Sequence, residues 1–157
     1  MNIRQTFYPS ENDRYYTEQS LDNIRYSDFF EEPDVDDFPY DSACQLLCGS
    51  CHIFALSLQK LLHYDVYVIE ANIKKTFHAF CKVCRNGVCY FVDVRGITSN
   101  IDEFKKGIEI FIHNEHTIRP VSDDDIRKWE EDSNKYDKEG YEFAEAVIKK
   151  YKKHYTV

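Results

Sequence analysis

Three residues whose types act together in nucleophilic catalysis follow one another along the chain: Cys51, His78 and Asp93. The thiolate is the reactive form of cysteine, and both a helix N-terminus and a neighbouring imidazolium favour it. Cys51 opens a run with helical period, His78 begins a strand-like run, and Asp93 lies on the next one. This order predicts a nucleophile, a base and a carboxylate that orients the base.

The segment CHIFALSLQKLL is predicted to form the helix that presents Cys51. Ser50 precedes it as an N-cap, and the apolar positions recur at helical spacing. The next run, VYVIEA over 66–71, is rich in β-branched residues and predicts a strand. The inward stripe of the helix is expected to contain Cys51, Ala55, Leu58 and Leu62.

A β-hairpin is predicted from the runs 77–84 and 88–94, because Asn86-Gly87 lies between them. A two-residue loop would pair Arg85 with Val88 and make Asp93 the diagonal neighbour of His78 on one face of the sheet. The same register places Phe80 and Phe91 on that face, which we expect the Cys51 helix to cover.

The remaining patterns predict an α+β fold with a single catalytic domain over 44–157. Residues 108–113 alternate as a strand does, Ser122 followed by three acids marks a helix start, and GYEFAEAVIKKY predicts a last amphipathic helix. Residues 1–43 hold eleven acidic and three basic residues, which accounts for the whole net charge of −8. We expect them to form a partly ordered acidic arm outside the core, with 34–40 close to the cleft.

The composition argues against several partners. An acidic chain without a basic stripe is a poor match for nucleic acid, and no apolar run reaches the roughly 20 residues that span a bilayer. The N-terminal stretch has no apolar segment typical of a secretory signal. The expected location is therefore the cytoplasm, of the protein's own cell or of a host cell, with all six cysteines as thiols.

The segments GSCHIFALSLQKLLHYDVYVIEA, HAF and YFVDVRG together resemble the core of transglutaminase-like cysteine enzymes. The resemblance implies a nucleophile helix packed on an antiparallel sheet, with helices following it, and a Cys51–His78–Asp93 triad. The local string QLLCGSCHIFA is also similar to papain-type cysteine peptidases. That similarity implies that the Gln45 side chain helps to stabilise the oxyanion.

The predicted function is a cysteine-dependent hydrolase, a peptidase or amidase, that attacks an amide or thioester carbonyl of a protein or peptide and needs no cofactor. Protein glutamine deamidation and transglutaminase-type acyl transfer are alternatives that use the same residues. A third alternative is a protein-binding module that is either a non-catalytic form of this fold or is stabilised by zinc on Cys48-x-x-Cys51 and Cys81-x-x-Cys84. No metal site is predicted, because Cys81 and Cys84 have opposite parity on a regular strand.

Overall fold

The computed structural model describes residues 18–73, 75–112 and 115–157. It has an α+β fold built on one five-stranded sheet, in which all neighbouring strands are antiparallel. The strands are β1 (Asp65–Ala71), β2 (Phe77–Arg85), β3 (Val88–Asp93), β4 (Gly96–Thr98) and β5 (His116–Pro120). Their order in the sheet is β4-β3-β2-β1-β5, so β2 lies at the centre, next to the strand that carries Asp93.

Helices flank this sheet: α1 (Glu18–Asp22), α2 (Cys51–Leu62), α3 (Ile101–Lys105), α4 (Glu109–Ile112), α5 (Asp123–Glu131) and α6 (Asp137–Lys150). The predicted helix starts at Cys51 and Ser122 are confirmed, and the Ser122 side chain accepts the backbone N–H of Asp125. The predicted apolar face of α6 is buried. Within the described residues, no helix combines the length and apolar character needed to cross a membrane.

The predicted hairpin register is confirmed by the pairing of Arg85 with Val88 and of Cys81 with Val92. Its two loop residues both have positive φ, 53° at Asn86 and 80° at Gly87. Asparagine and glycine tolerate this backbone conformation better than other residues, which explains why this dipeptide sets a two-residue turn.

The helix α2 packs on the face of the sheet opposite to the predicted one. The thiol of Cys81 donates to the Ala55 carbonyl at 3.4 Å, and the backbone N–H of Ala79 donates to the sulfur of Cys51 at 3.3 Å. The face with Phe80 packs instead against Phe104 of α3, with ring centroids 4.6 Å apart. The periodicity of β2 separated the two faces correctly, but both faces are apolar and the pattern does not say which helix covers which.

The predicted strand at 108–113 is wrong, since residues Glu109–Ile112 form the short helix α4. Ile108 and Ile112 are buried while Ile110 is 73% exposed. In a strand Ile110 would share the face of Ile108 and Ile112, whereas in a helix it lies on the opposite side, as its exposure shows. Only the pair Ile108 and Ile112 fits both periods, and the apolar residue between them favoured the strand.

The described part of the acidic arm belongs to the core, contrary to the prediction. Leu21 and Ile24 are fully buried, and Tyr26 packs edge-on against Phe143 of α6 with ring centroids 5.3 Å apart. The acidic residues of this segment lie between apolar ones that are widely spaced in sequence. Periodicity within one element does not detect such a segment, because its apolar residues are brought together only by packing.

Candidate active site

The nucleophile predicted from sequence, Cys51, is the first residue of α2 and is 7% exposed. Its sulfur accepts the backbone N–H of Ala79 at 3.3 Å, so it lies beside the peptide group that joins Ala79 to His78. A helix N-terminus carries partial positive charge, which favours an anionic sulfur at this position.

His78 and Asp93 meet as the hairpin register predicts. The Nε2 atom of His78 lies 2.9 Å from Oδ2 of Asp93, and both side chains are buried. An ionised carboxylate only accepts hydrogen bonds, so Nε2 carries a proton. The other ring nitrogen, Nδ1, is buried and has no hydrogen-bond partner among the described residues. It is therefore the nitrogen available to exchange a proton with Cys51 or a substrate.

Arg95 is a site residue that the sequence analysis missed. Its Nη2 donates to Oδ2 of Asp93 at 2.7 Å, and its backbone N–H donates to Oδ1 at 2.9 Å. The same guanidinium donates to the carbonyl oxygens of Lys106 at 2.7 Å and Phe104 at 2.9 Å. Arg95 thus holds the same carboxylate as His78, and both side chains bond to its Oδ2. A basic residue two positions after the acid, in VDVRG, was the available signal.

The electrostatics of the site favour a charged His78. Burial by itself would lower the pKa of His78, but the hydrogen bond to Asp93 and the interaction with Cys51 raise it to about 9. Burial would also raise the pKa of Asp93, but the charge of Arg95 and the hydrogen bond from His78 hold it well below its ordinary value. At neutral pH the structure therefore favours an ionised Asp93 and an imidazolium at His78.

Aromatic side chains from α3 and α4 enclose the imidazole. The ring centroid of His78 lies 6.0 Å from that of Phe104 and 6.4 Å from those of Phe80 and Phe111. These rings exclude water from the His78–Asp93 hydrogen bond, and a lower local dielectric strengthens that bond.

The start of α2 has backbone donors that are free to bind an anion. Among the described residues, the N–H of Cys51 and that of His52 have no acceptor. Ser50 does not cap the helix as predicted, because its hydroxyl is hydrogen-bonded to the Tyr40 hydroxyl at 3.1 Å. Backbone N–H groups beside a nucleophile are the kind of donor from which oxyanion holes are built.

Gln45 lies before this turn, and its Oε1 accepts the backbone N–H of Ser42 at 2.7 Å and of Asp41 at 3.2 Å. Its own carbonyl accepts the N–H of Ser50, which helps to shape the approach to Cys51. The oxygen of the side chain is therefore occupied in capping a short 3₁₀ helix, Ala43–Leu46. Its NH2 group is the part left to act on an oxyanion, and that role stays a prediction.

A cavity of about 310 Å³ opens beside Cys51. Its walls come from the turn before α2, from the start of β2 and from α4, so both layers that flank the sheet contribute to it. Residues 34–40, which we expected beside the cleft, do not line it. The lining residues are Leu47, Gly49, Cys51, Lys75, Thr76, Phe77 and Phe111.

The other cysteines have different environments. Cys84 and Cys89, directly opposed in the hairpin, are joined by a disulfide, so the expectation that all six cysteines are thiols is wrong for this pair. Cys81 is fully buried, and burial holds the pKa of its thiol well above the ordinary value. Cys48 is exposed. Among the described residues no group of three or more His, Cys, Asp or Glu side chains is arranged to hold a metal ion.

The zinc alternative is not supported by this arrangement, because the disulfide engages one of its four proposed ligands.

The chain matches no protein-family model, no curated protein and no solved structure.

Proposed function

We propose that this protein is a cysteine-dependent hydrolase that cleaves an amide or thioester bond of a peptide or protein through a thioester on Cys51. The observation that carries the proposal is the buried His78, which bonds to Asp93 through one ring nitrogen and interacts with Cys51, at a helix N-terminus, while its other ring nitrogen makes no hydrogen bond among the described residues. A structural histidine usually has both ring nitrogens satisfied, since an unpaired buried polar atom is costly.

In the first half of the reaction the Cys51 thiolate attacks the carbonyl carbon and the carbonyl π pair moves to oxygen. The backbone N–H of Cys51, and the Gln45 side chain if it turns inward, would stabilise that oxyanion. When the oxyanion collapses, the bond to the leaving amine breaks and the amine takes the proton from Nδ1 of His78. The products are the free amine and an acyl-Cys51 thioester.

In the second half a water molecule replaces the amine. Neutral His78 takes a proton from water through Nδ1, and the resulting hydroxide attacks the thioester. Cys51 leaves as thiolate and the carboxylic acid is released, which restores the ion pair. Glutamine deamidation follows the same steps with ammonia as the leaving group, and acyl transfer follows them with an amine in place of water.

The order of the elements agrees with the resemblance to transglutaminase-like and papain-like enzymes, and we include that core in the proposal. Supporting features are a nucleophile helix on an antiparallel sheet, the His and Asp on adjacent strands, and helices after the sheet. The five-stranded antiparallel sheet is also compatible with other α+β proteins, so the site carries the functional argument.

Alkylation with iodoacetamide at pH 6 tests the proposal, with Cys48 as an internal control. Cys48 is exposed whereas Cys51 is buried, so accessibility alone predicts that Cys48 reacts faster. We expect Cys51 to react at least tenfold faster, and His78→Gln to abolish the difference, since a thiolate is the reacting species.

The outcome that contradicts the proposal is a Cys51 that reacts no faster than Cys48 in the folded protein. A non-catalytic binding module would give that result. Hydrolysis is then tested with a library of peptide amides and thioesters, comparing the protein with its Cys51→Ala variant. A reaction that persists in Cys51→Ala would place the chemistry elsewhere.

A further inference from the structure

The cavity beside Cys51 has a mainly apolar wall. Leu47, Phe77 and Phe111 form that wall, and Gly49 adds no side chain to it. Lys75 and Thr76 contribute from the turn that connects β1 with β2. An acyl group bonded to the Cys51 sulfur would place its first side chain within reach of this wall.

The turn between β1 and β2 and the helix α4 both line the cavity, and they carry the two most exposed large apolar side chains among the described residues. Ile73 is 87% exposed on the turn between β1 and β2, and Ile110 is 73% exposed on α4, next to Phe111. The hydroxyl of Thr76 donates to the carbonyl oxygen of Phe111, which holds the turn against α4. Neither isoleucine lines the cavity, but each stands on a segment that does.

A larger cavity of about 450 Å³ shares Lys75 and Phe77 with the first and has a charged lining. Its Arg119 is engaged by Asp125 at 2.6 Å and by Glu70 at 3.4 Å. Four acidic and three basic side chains line this cavity, so the two signs of charge are nearly balanced there. The apolar cavity is the one that Cys51 lines.

We propose that the apolar cavity is the specificity pocket of this site and that it binds an apolar side chain or acyl group next to the attacked carbonyl. Ile73 and Ile110 extend the pocket at its rim. The inference rests on Cys51 as the nucleophile of the proposed function, and it adds the chemical class of the substrate. Burial of each CH2 group raises affinity about fourfold, so chain length is a direct probe of the pocket.

The test compares N-methyl-iodoacetamide with N-butyl-iodoacetamide as alkylating agents of the full-length protein. We expect the butyl reagent to alkylate Cys51 at least tenfold faster and with saturation, because three additional CH2 groups enter the pocket. At the exposed Cys48, followed in the same sample by mass spectrometry, the two reagents should react at similar rates.

Replacing Ile73 or Ile110, the two residues at the rim, tests whether the faster reaction of the butyl reagent arises in this cavity. Ile73→Ser and Ile110→Ser should each lower the butyl-to-methyl ratio at Cys51 about threefold, whereas Val35→Ser should leave both rates unchanged. Val35→Ser is the matched control, because Val35 is 46% exposed and lines neither cavity. Both isoleucines are exposed, so their replacement should preserve the fold.

Equal butyl and methyl rates at Cys51 would overturn the inference, and so would a ratio that the rim variants leave unchanged. The proposed function fails separately, if Cys51 reacts no faster than Cys48 with the methyl reagent. The ratio of the two reagents at Cys51 is measured in either case, which keeps the two failures distinguishable.

Discussion

The protonation of His78 gives the sharpest prediction about the site. Its pKa of about 9 lies some 2.5 units above the ordinary value of 6.5. One pKa unit corresponds to about 1.4 kcal/mol, so the interactions with Asp93 and Cys51 exceed the cost of burying the imidazolium by about 3 kcal/mol. Because the folded-state pKa is the raised one, this stabilisation is fully present below pH 6.5. It is lost as the pH rises from 6.5 to about 9.

NMR titration of the histidine Cε1–H signals measures this pKa directly, with the His78→Gln variant identifying the signal of His78. We expect a midpoint near pH 9 in the unmodified protein. Urea denaturation should show a free energy of unfolding that falls by about 3 kcal/mol between pH 6.5 and 9. The His78→Gln variant should lose that part of the pH dependence.

Asp93→Asn separates the two opposing effects on His78. Without the carboxylate charge, burial becomes the dominant influence, and the pKa of His78 should fall below 6.5. The guanidinium of Arg95, only 3% exposed, also loses its ion pair with the Asp93 carboxylate, so stability should fall by about 3–5 kcal/mol.

A His78 signal that titrates at or below pH 6.5 in the unmodified protein would refute the reasoning about the site. An unchanged midpoint in a folded Asp93→Asn would refute the role given to the carboxylate. If Asp93→Asn does not fold, the titration of the unmodified protein still decides the question.

Three further predictions concern stability and are checked by chemical denaturation. Gly140→Ala should destabilise the fold by about 1 kcal/mol or more, because the added Cβ would lie 2.7 Å from Cζ of the buried Tyr40. This overpacking outweighs the gain in helix propensity, so a more stable variant would contradict the prediction. Leu21→Ala should cost about 2–5 kcal/mol, and a loss under about 0.5 kcal/mol would place this segment outside the core. Replacing both Cys84 and Cys89 by serine should lower the free energy of unfolding by about 2 kcal/mol, because the unfolded chain regains the entropy of the loop that the disulfide closes. The rate of Cys51 alkylation should not change, and slower alkylation would show that the hairpin tip influences the site.

Local patterns in the sequence were sufficient for the elements that carry the triad. The helical period places Cys51 at the start of α2, and the Asn86-Gly87 turn sets the hairpin register. That register brings Asp93 to His78, because diagonal neighbours across a hairpin share a face. These are short-range consequences of side-chain period and turn conformation, so they can be read before the chain is folded.

Long-range packing decided the rest. It selected the face of the sheet that α2 covers, since both faces of β2 are apolar. It made Glu109–Ile112 a helix where the alternating isoleucines favour a strand, and it drew Leu21 into the core. It also placed Arg95 between Asp93 and the carbonyl oxygens of α3, a set of contacts that depends on the approach of separate elements. Such contacts join residues whose relative position no local period specifies.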